Sequence, residues 1–310
     1  MATDESTAKP ATATTSTAAS WLESSPTLFV QSEGQSCEKF MANFFRNVRH
    51  FVLRGTGGCG NMKPEFYFGL ENLKLALGGD LDVPESAPPD DIRRAKFEGF
   101  CLFGGTRMIG KADPSQIYLG ITEVFPALSA RCPDARILGV VAKAGHLRTT
   151  PHGTIVSHSE ADPYVTIIHP TQHSVLLLQP TVDKLANWDS EYQRCIDICE
   201  APAKNNWPGL LIAYNGGGVT AREVSAWAQL GRKDPFYRVL LVKDSGGTAG
   251  EFASDQNFLD EHPHVHVCDN TVESMRAKLL ELGAIVTPQA SASNSAESSA
   301  NLIQPLQENK

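Results

Sequence analysis

Two stretches decide the fold: GLLIAYNGGGVTAREV (209–224) and RVLLVKDSGGTAGEFA (238–253). Each begins with a short, continuously apolar run, breaks at consecutive glycines, and continues with a helical pattern. A continuous apolar run bounded by turn residues is what a strand covered on both faces looks like, because both pleat directions meet protein. A strand, a glycine turn and a helix in succession make half of a βαβ unit.

The same signature recurs outward from these stretches. Further strands are expected at His50–Arg54, Gly99–Phe103, Arg136–Ala142, Tyr164–Ile168, Ser174–Gln179 and Val265–Cys268, beside Gly209–Tyr214 and Arg238–Val242. Helices are expected at Cys37–Asn47, Ser115–Arg131, Val182–Glu200, Thr220–Leu230, Thr248–Asp255 and Thr271–Leu282. Asp113-Pro114 reads as a cap and first-turn pair, and Gly283 as a C-cap. Strands alternating with helices predict a Rossmann-like, doubly wound α/β fold with a mostly parallel sheet and helices on both faces. Residues 1–25 and 287–310 read as disordered tails around one domain over 26–286. Within it, 54–95 is Gly/Pro-rich and is expected to be an insertion or lid.

Composition bounds the function. The chain has 310 residues and a formal net charge of −8, with 41% apolar and 20% charged residues. An acidic balance argues against nucleic acid or an anionic membrane as partner, since both need a positive footprint. No apolar stretch approaches a membrane span. Seven dispersed cysteines, mostly in apolar runs and without a CxxC, suit reduced thiols in the cytoplasm. Cys195 and Cys199 lie four apart without a second ligand pair. His262, His264 and His266 alternate and would line one face of a strand or its approach. Neither set is expected to hold a metal, and no cofactor is expected.

In an open parallel sheet, ligands bind beyond the carboxyl ends of the strands. Three glycine clusters stand there: Gly104-Gly105-Thr106-Arg107, Gly216-Gly217-Gly218 with Thr220, and Ser245-Gly246-Gly247-Thr248. Glycine lets backbone N–H groups approach an oxyanion, a helix N-terminus adds free N–H donors, and the hydroxyls and Arg107 add more. One such turn is only a tight connection; three converging predict a phosphate-bearing small-molecule ligand. Arg54–Gly60 (RGTGGCG) also matches GxGxxG, as a fourth phosphate-facing loop or simply a flexible one. Lys143, Lys243 and Asp244 end strands and are secondary candidates. Trp188, Trp207 and Trp227 read as packing residues.

Asn215 to Glu223 (NGGGVTARE) resembles the P-G-G-x-G-T-x-x-E motif of the SLOG superfamily, which includes the LOG-type "lysine decarboxylase-like" proteins. Gly216, Gly217, Thr220 and Glu223 match, while Asn215 replaces the proline and Val219 the third glycine. With Phe103-Gly104-Gly105-Thr106 before it and Asp244–Ala253 after it, the order is similar to the SLOG modules of TRPM channels and their free-standing bacterial relatives. The resemblance spans roughly Phe97 to Asp255. It implies a pocket for nucleotide-derived signals such as ADP-ribose and its cyclic forms, and homo-oligomers. LOG-type members are instead phosphoribohydrolases, which makes Glu223 the candidate catalytic carboxylate, with Arg107 and Arg148 as substitutes for an upstream arginine. Glu223 equally reads as a first-turn acid at a helix N-terminus. A binding module is the first reading, a nucleotide N-glycosidic hydrolase the second, a ligand-free scaffold the third.

Overall fold

The computed structural model describes residues 27–32, 45, 48–58, 62–80, 82–84, 86–88, 90–142, 148–158, 160–170, 174–179 and 188–288. In chain order its elements are β1 (Thr27–Ser32), β2 (Val52–Gly57), α1 (Tyr67–Gly78), β3 (Lys96–Phe97), β4 (Gly99–Gly104), β5 (Thr106–Gly110), β6 (Ile117–Tyr118) and α2 (Val124–Leu128). There follow β7 (Ala135–Ala142), β8 (Arg148–Thr150), β9 (Gly153–His158), β10 (Tyr164–Ile168), β11 (Ser174–Gln179) and α3 (Trp188–Lys204). The last part holds β12 (Gly209–Tyr214), α4 (Gly218–Gly231), β13 (Tyr237–Val242), α5 (Gly247–Ser254), α6 (Gln256–Glu261), β14 (Val265–Cys268), α7 (Val272–Glu281) and β15 (Ile285–Val286).

Eight strands form the main sheet in the order β1-β11-β7-β4-β2-β12-β13-β14. Every neighbouring pair is parallel. The strand residues alternate between two cores, as the pleat requires. Leu53, Leu210, Ile212, Leu240 and Val242 face Leu73, Phe125 and Met275 of α1, α2 and α7. Val52, Leu211, Ala213, Val239 and Leu241 face Cys195, Val224, Trp227 and Ala249 of α3, α4 and α5. This is the expected doubly wound α/β architecture. Trp227 is fully buried; at about 25 cal/mol per Å² over 150–250 Å², its transfer from water contributes roughly 4–6 kcal/mol before entropy.

Two expectations are corrected. Tyr164–Ile168 is a strand, but it joins a separate antiparallel sheet, β6-β5-β10-β9-β8, pairing with β5 and β9. An apolar run reports burial, not which sheet takes it. Residues 115–131 are not one helix. The Asp113 side chain accepts from both the N–H and the hydroxyl of Ser115, which turns the chain instead of starting a helix. The short β6 strand follows, and Gly120 and Pro126 leave only the five-residue α2.

Between Arg54 and Ala95, residues 54–57 complete β2, and α1 buries Leu70, Leu73, Ala76 and Leu77 in the first core. Gly69 and the Gly78-Gly79 pair hide this helix in the sequence. The expected helix over 37–47 falls almost wholly outside the described residues, as do 182–187 and both tails. Five described cysteines are buried and free. Burial pushes the Cys132 and Cys268 thiols up to about 11 and about 12, far from reactive thiolates. No helix among the described residues is long and apolar enough to cross a membrane.

Candidate functional site

From β2 the strand order runs one way through β4, β7 and β11, while β12, β13 and β14 run the other way. The connections after β2 and β12 therefore diverge and leave a crevice at the carboxyl ends of those strands. A cavity of about 300 Å³ occupies it. Gly57 at the end of β2 and Gly58 after it, Gly104 and Thr106 around the end of β4, and Gly217 to Thr220 after β12 all line it.

The α4 N-terminus forms its polar wall. The first N–H groups of α4 have no intrahelical partner, and with Gly217 as N-cap no side chain caps them either. They carry the partial positive charge of the helix end. A Cβ placed on Gly217 would meet nothing within 4 Å; that position looks into open space.

The turn before it is held from the third glycine cluster. Asn215 and Gly216 have φ of 57° and 96°, in the left-handed region where asparagine and glycine are the tolerated residues. The Asn215 N–H donates to Ser245 Oγ at 3.0 Å and its Nδ2 to the Ser245 carbonyl at 2.8 Å. The Thr248 N–H donates to the Gly216 carbonyl at 3.1 Å, and its hydroxyl to the Gly217 carbonyl at 3.2 Å. Ser245, Gly246, Gly247 and Thr248 thus brace the phosphate-ready turn and do not line the cavity. Gly246, Gly247 and Asp244 border a separate shallow groove with Phe66 and Glu251.

Below the α4 N-terminus lies a buried charge cluster. Arg54, only 2% exposed, shares the pleat face of Val52 and meets the helices α3 and α4 there. Its Nε donates to Glu223 Oε1 at 2.7 Å, and its Nη2 to Glu223 Oε2 at 3.1 Å and Glu191 Oε1 at 3.3 Å. All three side chains line the cavity. Arg54 Nη1 is buried and has no hydrogen-bond partner among the described residues. Desolvation opposes the Arg54 charge, but Glu223 and Glu191 more than offset it and hold the guanidinium protonated.

One cation thus serves two carboxyls. Burial pushes Glu191 up to about 7, with Arg54 opposing and Glu223 reinforcing the rise. The main chain leaves little room for change here, because a Cβ on Gly104 would lie 2.9 Å from Glu191 Oε1. Because the folded state holds this proton more tightly than the unfolded chain, its stabilisation is full below about 4.5 and is lost as pH rises to 7. Wild type should therefore lose roughly 2–3 kcal/mol relative to Glu191→Gln between pH 4.5 and 7.5. Urea unfolding of both proteins at each pH measures it; parallel pH profiles would refute the assignment.

Arg107 goes elsewhere, and the reason is β5. No helix follows Gly105; β5 begins at once, so Thr106 and Met108 face the cavity while Arg107 alternates away. It forms a two-pronged pair with Glu123 at 3.0 and 2.7 Å and lies 3.1 Å from His169 Nε2. Although burial pushes Glu123 up, the His169 and Arg107 hydrogen bonds outweigh it and hold that carboxyl at about 2. Gly105 does not line the cavity either: its N–H donates to Val140 and its carbonyl accepts from His169.

Of the sequence candidates, Gly104, Thr106, Gly217, Gly218, Thr220 and Glu223 come together in the cavity. Gly216 shapes it from behind. Arg148 sits exposed in β8, and Lys143 lies outside the described residues. Of the Arg54–Gly60 loop, Arg54, Gly55, Thr56, Gly57 and Gly58 line the cavity, while sequence reading missed Met108, Tyr164, Trp188 and Glu191. The available signal was a lone arginine inside an apolar run before glycines, together with Glu191, Cys195 and Cys199 spaced by four on one helix face. Of the three alternating histidines, His266 lies in β14, while His262 and His264, on its approach, contact the Phe258 and Ala228 carbonyls. Among the described residues no His/Cys/Asp/Glu group could hold a metal.

Fold and cavity together define a doubly wound α/β protein with a partly polar, partly aromatic cleft at its switch point. No family model and no curated protein matches the sequence. Among solved structures, the chain is similar to the molybdenum cofactor binding protein from the phototrophic bacterium Rippkaea orientalis. The identity is 11%, the TM-score 0.39, and the match covers 75% of this chain and 96% of that one. It is also similar to the molybdenum cofactor carrier protein of Chlamydomonas reinhardtii, at 15% identity and a TM-score of 0.38, covering 76% of this chain and 99% of that one.

Proposed function

We propose that this chain is a SLOG-type binding protein that takes a nucleotide-derived small molecule in the switch-point cavity, in the cytoplasm. The observation that carries the reading is the uncapped α4 N-terminus opening into the same cavity that Thr56, Thr106 and Thr220 line. Free N–H donors with a helix dipole behind them suit a phosphate. The threonine hydroxyls add donors and acceptors for the rest of the ligand. Arg54 contributes little net charge to that anion, because Glu223 already neutralises it.

The test is equilibrium dialysis against AMP, ADP, NAD, ADP-ribose and cyclic ADP-ribose, with both compartments read by chromatography. One of these should be retained and recovered intact, and at 100 times its Kd should stabilise the fold by about 2.7 kcal/mol. Retention of none of them would sink the reading.

A second reading rests on an observation of its own. Glu191, with a carboxyl pushed up to about 7, stands beside Glu223, whose carboxylate is fixed by Arg54. Two adjacent carboxyls in different environments, one raised by burial and one held by a guanidinium, are the kind of pair that glycosidic cleavage uses. Under the binding reading, wild type and Glu223→Gln both return the nucleotide unchanged after overnight incubation. Free base or ribose phosphate formed by wild type and lost in Glu223→Gln would instead establish the hydrolase.

A further inference from the structure

The cavity has a second wall that the phosphate argument does not use. In the antiparallel sheet, Met108 stands opposite Thr166 on β10 and opposite Tyr118 on β6. Residues directly opposite each other share a face, and so do residues two apart along a strand. Thr106, Met108, Tyr118, Tyr164 and Thr166 therefore lie on one face of this sheet. Thr106, Met108 and Tyr164 of that face line the cavity. The Tyr118 ring supports the Tyr164 ring from the side, at 5.4 Å between centroids and 58° between planes. Trp188, the first residue of α3, lines the same cavity from another element.

The cavity is thus two-sided in chemistry. Toward α4 it offers backbone N–H groups and hydroxyls; toward the small sheet and the start of α3 it offers a thioether and two aromatic rings. A sugar phosphate would leave the aromatic side against water. A planar heteroaromatic ring would cover it, since ring faces stack on tryptophan and tyrosine whatever the polar pattern at their edges.

We infer that Trp188 and Tyr164 form the subsite for a planar heteroaromatic ring, so that the ligand class is a ring-bearing nucleotide and not a simple sugar phosphate. The inference rests on the nucleotide reading of this cavity and adds which residues select the ring. At about 300 Å³, the cavity lies at the small end of ligand sites and matches one nucleotide unit more closely than two.

The test compares AMP with ribose 5-phosphate, which keeps the phosphate and sugar and lacks the ring. Calorimetric titrations would use wild type, Trp188→Ala, Trp188→Phe and Tyr164→Leu. Wild type should bind AMP at least 10-fold more tightly than ribose 5-phosphate. Trp188→Ala should weaken AMP by about 5- to 100-fold and leave ribose 5-phosphate within 2-fold, while Trp188→Phe restores most of the AMP affinity. Tyr164→Leu should act in the same direction. Binding of ribose 5-phosphate as tight as AMP would overturn the ring subsite and leave the phosphate reading standing. Equal weakening of both ligands in Trp188→Ala would also overturn it, by making Trp188 a structural prop. Binding of neither by wild type would overturn the inference that one ring-bearing nucleotide unit fills this cavity, and the five-ligand dialysis then decides the nucleotide reading separately.

Discussion

Replacing Arg54 with methionine should lower the unfolding free energy by about 3–5 kcal/mol at pH 8, the range for breaking a buried ion pair by removing one partner. Methionine keeps much of the arginine length and fills the same space, so the loss is electrostatic. Glu223, fully buried, forfeits both of its guanidinium contacts, and Glu191 forfeits its own. Two carboxyls then share a dry site with no cation, and Glu191, already pushed up by burial, loses the charge that opposed its rise. The deficit should shrink when the pH is lowered to 5, because the protonated acids need no counter-charge. Urea unfolding at the two pH values reads both effects. A loss under 1 kcal/mol at pH 8 would mean that the cluster carries no structural weight. The double variant Arg54→Met/Glu223→Leu should recover part of the loss, since the isolated buried charge goes with it.

The second large effect is on ligand and not on stability. Gly217→Val places two methyl groups in the open space that Gly217 now faces, in front of the α4 N–H donors. Its φ of −132° is on the side open to L-residues, and glycine as an N-cap contributes little here through a side chain. Retention of whichever nucleotide wild type binds should fall about 100-fold or more, equivalent to about 2.8 kcal/mol. Stability should stay within about 1 kcal/mol of wild type. Unchanged affinity with an intact fold would move the anion site away from α4. Gly246→Val offers a contrast. Gly246 has a φ of 71°, and a Cβ there would meet the Phe66 ring at 2.5 Å, so that variant should unfold more easily and weaken binding only through the turn it braces.

Much of the architecture was legible because it depends on local pattern. GLLIAY and VHVC became strands at their expected boundaries, and the helix after NGGG begins two residues earlier than its periodicity placed it. A two-sided parallel strand has to be apolar throughout, so its run is visible in one dimension. What was not legible depends on partners distant in sequence. Nothing in YVTII tells that it pairs antiparallel with TRMIG and leaves the main sheet. The same pairing decides that Arg107 turns from the cavity and Met108 and Tyr164 turn toward it. Arg54 looked like the last residue of a strand because glycines follow it. The strand in fact runs on to Gly57, which puts Arg54 inside the fold, where only acids from two later helices make its burial tolerable. The glycine clusters were read as equals, yet only their position in three dimensions separates those that line the cavity from the one that holds a neighbour in shape.

The place of β2 in the sheet also sets a timetable. Val52 to Gly57 pair on one side with β12, which begins at Gly209, roughly 150 residues further along the chain. At synthesis rates of about 5–20 residues per second, the ribosome takes roughly 10–30 s to deliver that partner. During this interval the central strand of the sheet has one open edge, and its arginine lacks Glu223, which follows Gly209 in the chain. The cavity is therefore among the last features of the protein to come into being. A nascent chain halted before Gly209 would hold β4 and β7 and yet have no site. Pairings this distant also predict slow refolding, with recovery of ligand binding trailing recovery of helix content.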